Sequence, residues 1–467
     1  MASRRDQLQS YQFMTQRVIS AFVMRETDPR QSPLRRGIGA VFGGLMIAIL
    51  VGAGFGIYGL LTKVGSSQWK SNGAVVIEKE TGASFVYLND ALYPTLNYAS
   101  AMLAAGKPNP AVFRVSSASL NSVPRRTQVG IPGAPNSLPP AKNRVRLPWT
   151  VCAMPGADSA GVVTSTVTLA VSVAPVGGRG LTDEAILVKD AILGQTYLLW
   201  HGRRHLVQDS RVVLPALFGA VTPVPVRTAW LNSLPSGTDI ATVSVPDPGR
   251  PSAKVPGRKV GDLLLARTGS GPQYYLVFDD GVAAISELQK DILGAKMALQ
   301  PREVPPSDNS LLIRSGRLAQ PGGETQPPPA PPVLVKPGPN DQLCAVTGDA
   351  RSTPQLWVGG VLPGADRAAP TMYTTGNGVA LADRVLVPPG SVATVRVLGA
   401  PTAGSGPYYV VTDLGVKYAV PSPAVLLMLG YPPLDAVDVP ASLVARIPSG
   451  PTLDPAAAVQ PAAAAEK

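Results

Sequence analysis

His201 and His205 stand four residues apart and are the only histidines in the 467-residue chain. On a helix this spacing sets two imidazoles on one face, where they could hold zinc if an intervening Glu served as base in the H-E-x-x-H manner. Gly202, Arg203 and Arg204 lie between them here, so the base is missing. "TYLLWHGRRHLVQDS" reads instead as strand, polar turn and strand, which puts the pair on opposite sides of a surface turn. A Ser-His-Asp triad would have to use one of these histidines, and no G-x-S-x-G nucleophile elbow occurs. No G-x-x-x-x-G-K-[ST] string offers backbone N–H groups to a nucleotide. Asp279 and Asp280 could act as paired carboxylates or calcium ligands, but between two apolar strands and before Gly281 they fit turn chemistry better. No catalytic, cofactor or metal residue is assigned. The residues argue for a structural or binding protein rather than an extracytoplasmic hydrolase.

Two thiols remain, Cys152 in "RLPWTVCAM" and Cys344 in "NDQLCAVTG". In an oxidising compartment they pair by default; the alternative is two unrelated buried thiols. A bridge would close a loop of about 190 residues and stabilise the fold by roughly 5 kcal/mol, less any strain.

The compartment follows from the run Ile38 to Leu61, which has no charged residue and is flanked by Arg35, Arg36 and Lys63. At about 1.5 Å per residue it spans roughly 36 Å, enough for a hydrocarbon core of about 30 Å. It is longer than a signal-peptide core of about 7–15 residues, and no small-residue cleavage site follows. Arg4, Arg5, Arg17, Arg25, Arg30, Arg35 and Arg36 precede it, whereas only Lys63 and Lys70 follow closely. The positive-inside rule then places the N-terminus in the cytoplasm and the large remainder outside. Gly39 and Gly43, and Ala48, Gly52 and Gly56, recur every four residues, a spacing that permits close helix packing, although glycine is also common in membrane helices.

The net charge of +11 is otherwise dilute, with no dense basic block. That disfavours nucleic-acid binding. It leaves room for weak attraction to anionic lipid or cell-wall polymer. In the N-terminal tail, Leu8, Tyr11, Met14, Val18 and Phe22 form an apolar helical stripe. Such a helix either lies on the inner membrane face or docks a cytoplasmic partner.

Beyond the span a strand–turn–strand pattern recurs four times, at Ser84–Asn97, Thr196–Ser210, Gln273–Ser286 and Pro407–Ser422, each followed by a short apolar helical segment. Asp280-Gly281 and Asp413-Leu414-Gly415 are hairpin turns by type. The spacing is irregular, which excludes a regular solenoid. The expected fold is one transmembrane helix plus a β-rich α+β outer domain, with four strand–strand–helix modules around a central β domain. The expected divisions begin with a cytoplasmic tail (1–37), the span (38–61) and the first module (70–140). The leading segment of the central domain (141–182) follows, then the second module (183–245), the third (255–318) and a Pro-rich linker (319–340). The trailing segment of the central domain (341–400), the fourth module (401–454) and a disordered tail (455–467) complete the chain.

"SFVYLNDALYPTLNYASAMLAAGKPNP", "VGIPGAP" at Val129–Pro135, "WTVC" with the later Cys344, "GPQYYLVFDDGVAAI" and "YYVVTDLGVKYAVP" together resemble the EccB family, a single-pass core component of type VII (ESX) secretion systems. The resemblance covers nearly the whole chain. The tail lacks the Gly-Trp-Arg-Phe wording of mycobacterial members, although Phe13 and Arg17 keep its sense, so the chain looks like a relative from another actinobacterial lineage. The resemblance implies a non-catalytic scaffold without cofactors. Its implied partners are EccC-, EccD- and EccE-type subunits, the EccC type being the ATPase motor, and a nearby mycosin protease. It also implies an elongated outer domain closed by a Cys152–Cys344 disulfide, self-association of outer domains, and a possible contact with peptidoglycan. ATP hydrolysis proposed for the family finds no phosphate-cradling motif here. A stand-alone, membrane-anchored cell-wall-binding protein is the alternative.

Overall fold

The computed structural model describes residues 3–25, 34–61, 67–157, 161, 163–318, 323–372 and 378–462. Arg30 and Lys63, used above for orientation, and the end of the tail lie outside them. The chain divides into two compact units, residues 1–69 and 70–467.

In the first unit, α1 spans Arg4–Met24. Asp6 receives the Ser3 backbone N–H at 3.0 Å, which caps the start and sets an acid in the first turn, where the helix dipole favours it. Arg25 ends the helix at φ 57°. Leu8, Tyr11, Met14, Val18 and Phe22 are all exposed. The second helix, α2, spans Leu34–Leu61, and its stretch Gly37–Gly59 is long and apolar enough to cross a membrane. A Cβ built on Gly39, Gly43, Gly52 or Gly56 would meet nothing within 4 Å.

The second unit holds five sheets. Four have four strands each in one order: third, second, first, fourth. The first comprises Ala74–Glu78, Ser84–Leu88, Ala91–Pro94 and Val112–Val115; the second Ile186–Asp190, Thr196–Trp200, Arg203–Leu206 and Val224–Val226. The third comprises Leu263–Thr268, Gly271–Phe278, Gly281–Ile285 and Arg302–Val304; the fourth Val392–Leu398, Tyr408–Thr412, Lys417–Val420 and Val437–Pro440. In each, the first three strands are antiparallel and the fourth runs parallel to the first. A parallel partner needs a crossover, and Tyr98–Ala104, Ser210–Phe218, Glu287–Met297 and Pro423–Met428 supply it. The strand–strand–helix pattern is thus the middle of a larger unit. Its closing strand is short and often Pro-bearing, as in Val224–Val226, and so reads as loop from sequence.

The fifth sheet has seven strands: Ala369–Pro370, Arg384–Leu386, Val163–Val171, Trp149–Ala157, Leu343–Thr347, Gln355–Val358 and Arg179–Gly180, in that order. The second and third sheets arise from chain inserted between its two halves.

Three boundaries differ from expectation. Val392–Leu398, assigned above to the trailing segment of the central domain, pairs with Tyr408–Thr412 and Val437–Pro440 and so begins the fourth sheet. The Pro-rich linker is laced onto its neighbours: Thr325, Pro329 and Val333 carbonyls accept N–H bonds from Thr238, Leu288 and Ala185 at 2.7, 3.1 and 3.0 Å. Proline forbids donation, not acceptance, so a segment unable to form a core of its own still straps others. Residues 455–462 of the expected tail pack onto the fold, and 463–467 lie outside the described residues. Asp454 caps a turn at Pro455–Ala458, Ala458 is fully buried, and the Ala462 N–H reaches the Gln128 carbonyl at 2.9 Å.

Candidate functional site: a disulfide-tied centre and its joints

Cys152 and Cys344 face each other across adjacent antiparallel strands and are bridged, with Cα atoms 4.0 Å apart. Both sulfurs are buried beside Ala170, Leu362 and Leu386. The bond therefore ties the two chain segments that enclose the second and third sheets.

Around this centre, polar joints hold the other sheets. The Trp230 indole N–H donates to the Val151 carbonyl at 3.0 Å. The Arg227 guanidinium donates to Asp383 Oδ1 at 2.6 Å, and Asp383 Oδ2 accepts the Val167 N–H at 2.7 Å. These fix the second sheet's closing turn on the central sheet. On the fourth sheet, Arg396 grips Asp438 in a fork of 2.7 and 2.9 Å, and Arg351 of the central segment adds a contact at 3.5 Å. The Arg396 hydrogen bonds lead in holding the Asp438 carboxyl below the usual carboxylate range. Ser442 Oγ donates to the Ser233 carbonyl at 3.0 Å, joining the second and fourth sheets. One apolar cluster runs through all three, including Trp149, Leu169, Trp230, Leu356, Val395 and Ile447. A second cluster joins the first sheet to the fourth through Met102, Ile131, Leu426 and Tyr431. The third sheet keeps clusters of its own and meets the second where Leu288 and Ile292 pack with Leu187, Leu198 and Val213.

Residues singled out for chemistry go elsewhere. His201 sits in a turn at φ 46°, stacked on Trp200 at 3.7 Å, with Nε2 3.0 Å from Asp183 Oδ1. His205 is not at the surface, as the turn reading had it, but fully buried. Its Nδ1 lies 2.8 Å from the Thr238 carbonyl. Burial pushes its pKa down, and a Cβ on Gly237 would overlap its ring. His201 belongs to the turn, whereas His205 lies on the strand Arg203–Leu206 and takes its inward-facing position. Asp279 accepts the Ala253 N–H at 3.1 Å, and Asp280 accepts from Ser315 at 3.0 Å and Arg317 at 3.1 Å. Both serve loops. Among the described residues no group of three or more His, Cys, Asp or Glu could hold a metal. The joints Arg227–Asp383 and Arg396–Asp438 carried no sequence signal, since charged residues far apart in the chain announce no pairing.

The family model described as "Type VII secretion system ESX-1, transport TM domain B" matches residues 1–464. The "ESX-3 secretion system ATPase EccB3" of Mycolicibacterium smegmatis is 30% identical over 485 residues, covering 96% of this chain and 89% of that protein. The "ESX-2 secretion system ATPase EccB2" of Mycobacterium tuberculosis (strain ATCC 25618 / H37Rv) is 28% identical over 497 residues, covering 98% and 94%. Among solved structures, a chain of the intact ESX-5 inner membrane complex matches at 25% identity and TM-score 0.66, covering 100% of this chain and 97% of that one. A chain of the EccB3 dimer from the ESX-3 core complex matches at 25% identity and TM-score 0.64, covering 83% of this chain and 100% of that one. With its apolar helix, its disulfide-tied centre and a family match along nearly its whole length, this chain belongs to the EccB family of type VII secretion systems.

Proposed function

We propose that this protein is a non-catalytic structural subunit of a type VII secretion complex in the cell membrane. Its N-terminus faces the cytoplasm and its second unit lies outside. The observation that carries this reading is the end-to-end likeness to a chain within an intact ESX-5 inner membrane complex. The basic N-terminal flank supports the orientation, and the disulfide suits an oxidising exterior. The relatives are named ATPases, yet the sequence holds no phosphate-cradling loop, and the centre described above is filled by packed side chains and structural ion pairs. We assign energy supply to an EccC-type partner, with EccD- and EccE-type subunits and a mycosin protease as further neighbours. The four like sheets are read as copies of one module around the tied centre. Self-association of outer units is supported by the dimeric state of the ESX-3 relative. The exposed stripe Leu8, Tyr11, Met14, Val18 and Phe22 is the proposed cytoplasmic docking surface, and Gly39, Gly43, Gly52 and Gly56 the proposed packing face of the span.

ATP turnover by the purified chain tests the absence of catalysis. The expected rate equals the buffer background and does not change with His201→Ala. Saturable turnover that copurifies with the chain and falls with a point substitution in it would overturn this reading.

A further inference from the structure

In the second and fourth sheets a later stretch of chain runs parallel over the third strand. In the second, the Gly237 N–H donates to the Arg204 carbonyl at 2.9 Å and the Ile240 N–H to the Leu206 carbonyl at 2.8 Å. In the fourth, the Gly450 N–H donates to the Lys417 carbonyl at 2.8 Å and the Leu453 N–H to the Ala419 carbonyl at 2.9 Å. His205 follows Arg204, and Tyr418 follows Lys417. Both rings are buried against the overlying glycine: a Cβ on Gly237 would overlap His205, and one on Gly450 would overlap Tyr418. This place in the module thus takes a flat ring, but the ring need not titrate near neutral pH. Tyr418 stays neutral there, since burial pushes its pKa up.

His205 differs from Tyr418 in what it holds. Its Nδ1 lies 2.8 Å from the Thr238 carbonyl, so the bonded tautomer carries its proton on that nitrogen. Nε2 is buried with no partner among the described residues. A second proton would place a charge, and an N–H with nothing to accept it, on the sheet face that His205 shares with Leu198 and Val207. Such a group is costly to bury. Two charged groups act on the ring: Arg203 on its own strand opposes the second proton, and Asp239 on the covering segment favours it.

Thr238 also holds the Pro-rich strap. Its N–H donates to the Thr325 carbonyl at 2.7 Å. The strap goes on to accept from Leu288 of the third sheet's helix at 3.1 Å, through Pro329. It then returns to the second sheet, where Ala185 donates to Val333 at 3.0 Å and accepts from Val335 at 2.8 Å. The strap therefore crosses the joint at which Leu288 and Ile292 pack with Leu198, Val207 and Ile240.

We infer that His205 is an acid-sensitive latch on this joint: its neutral ring holds the covering segment 236–240 and, through Thr238, one end of the strap, and its protonation releases both. Burial pushes the imidazole pKa below its ordinary 6.5. Opening the segment returns the ring to water, so the opened form takes up the proton more readily. Opening is then favoured increasingly as the pH falls below 6.5. The latch is a property of the chain by itself and does not depend on the scaffold reading.

The experiment follows hydrogen–deuterium exchange of the full-length chain in detergent between about pH 7.5 and 5, corrected for the intrinsic pH dependence of amide exchange. The amides of Gly237, Thr238 and Ile240 should lose protection about tenfold toward the acid end, while those of Gly450 and Leu453 in the fourth sheet should not change. His205→Asn keeps a donor near the Nδ1 position and cannot titrate, so it should level the pH dependence. Asp239→Asn removes the other titrating group beside the ring and should leave the pH dependence in place. The parent chain and Asp239→Asn decide the matter even where His205→Asn does not fold. Protection at 237–240 that is independent of pH in the parent chain would overturn the inference. So would a pH dependence that survives His205→Asn or vanishes in Asp239→Asn.

Discussion

At the residue scale, the bond between Cys152 and Cys344 spans 192 positions, and constraining so long a loop in the unfolded chain is worth at most about 5 kcal/mol. Cys152→Ala with Cys344→Ala should therefore lower the denaturation midpoint of the second unit markedly, as followed by urea titration. The untreated, denatured protein should show no titratable thiol. A second residue makes stability depend on pH. Burial, and then the Arg446 charge, push the Lys417 ammonium from 10.5 down to about 8. Because the folded value is the lower one, the unfolded chain binds the extra proton between those values. Stability then rises with pH through that window, and the penalty is fully present below about 8. Lys417→Met should flatten the rise, which is worth at most about 3 kcal/mol, in urea titrations between about pH 7 and 10. The cysteine pairing was legible in the sequence because only two cysteines exist. Arg227–Asp383 was not, because its partners are 156 positions apart and each reads alone as an ordinary surface charge.

At the element scale, the apolar span and the Asp-Gly hairpins were legible because each is a local property: length with composition, and turn type with flanking strands. The closing strand of each sheet was hidden because it is short and pairs with a strand far back in sequence, and in Val224–Val226 and Val437–Pro440 a proline also argues against strand. The strap and residues 455–462 of the tail were misread for a related reason. Composition reports whether a segment can form its own core, not whether a neighbour will take its carbonyls, as Leu288 does from Pro329, or its small side chains, as at buried Ala458. On the span, a Cβ at Gly52 or Gly56 meets only open space within the chain. Gly52→Leu with Gly56→Leu should thus preserve insertion, since nothing internal is crowded, while weakening assembly with partner helices by removing a close-approach face. Membrane fractionation and copurification of partner subunits check the two halves separately. Unchanged assembly would reduce the span to an anchor.

At the scale of the whole molecule, two chain segments tied by one disulfide carry four like sheets, three of them drawn into shared apolar clusters and the third sheet meeting the rest through one helix contact and the Pro-rich strap. The ion pairs Arg227–Asp383 and Arg396–Asp438 sit at joints of these sheets, and the proposed scaffold role rests on that arrangement. The measurement that tests this most directly is the native mass and composition of the complex extracted in mild detergent from cells expressing the tagged chain. The account predicts an assembly several times the 48.4 kDa of one chain, containing more than one copy of it together with an ATPase-bearing partner. Recovery of the chain alone, at the mass of a single copy, from cells whose secretion proceeds normally without it would contradict the account.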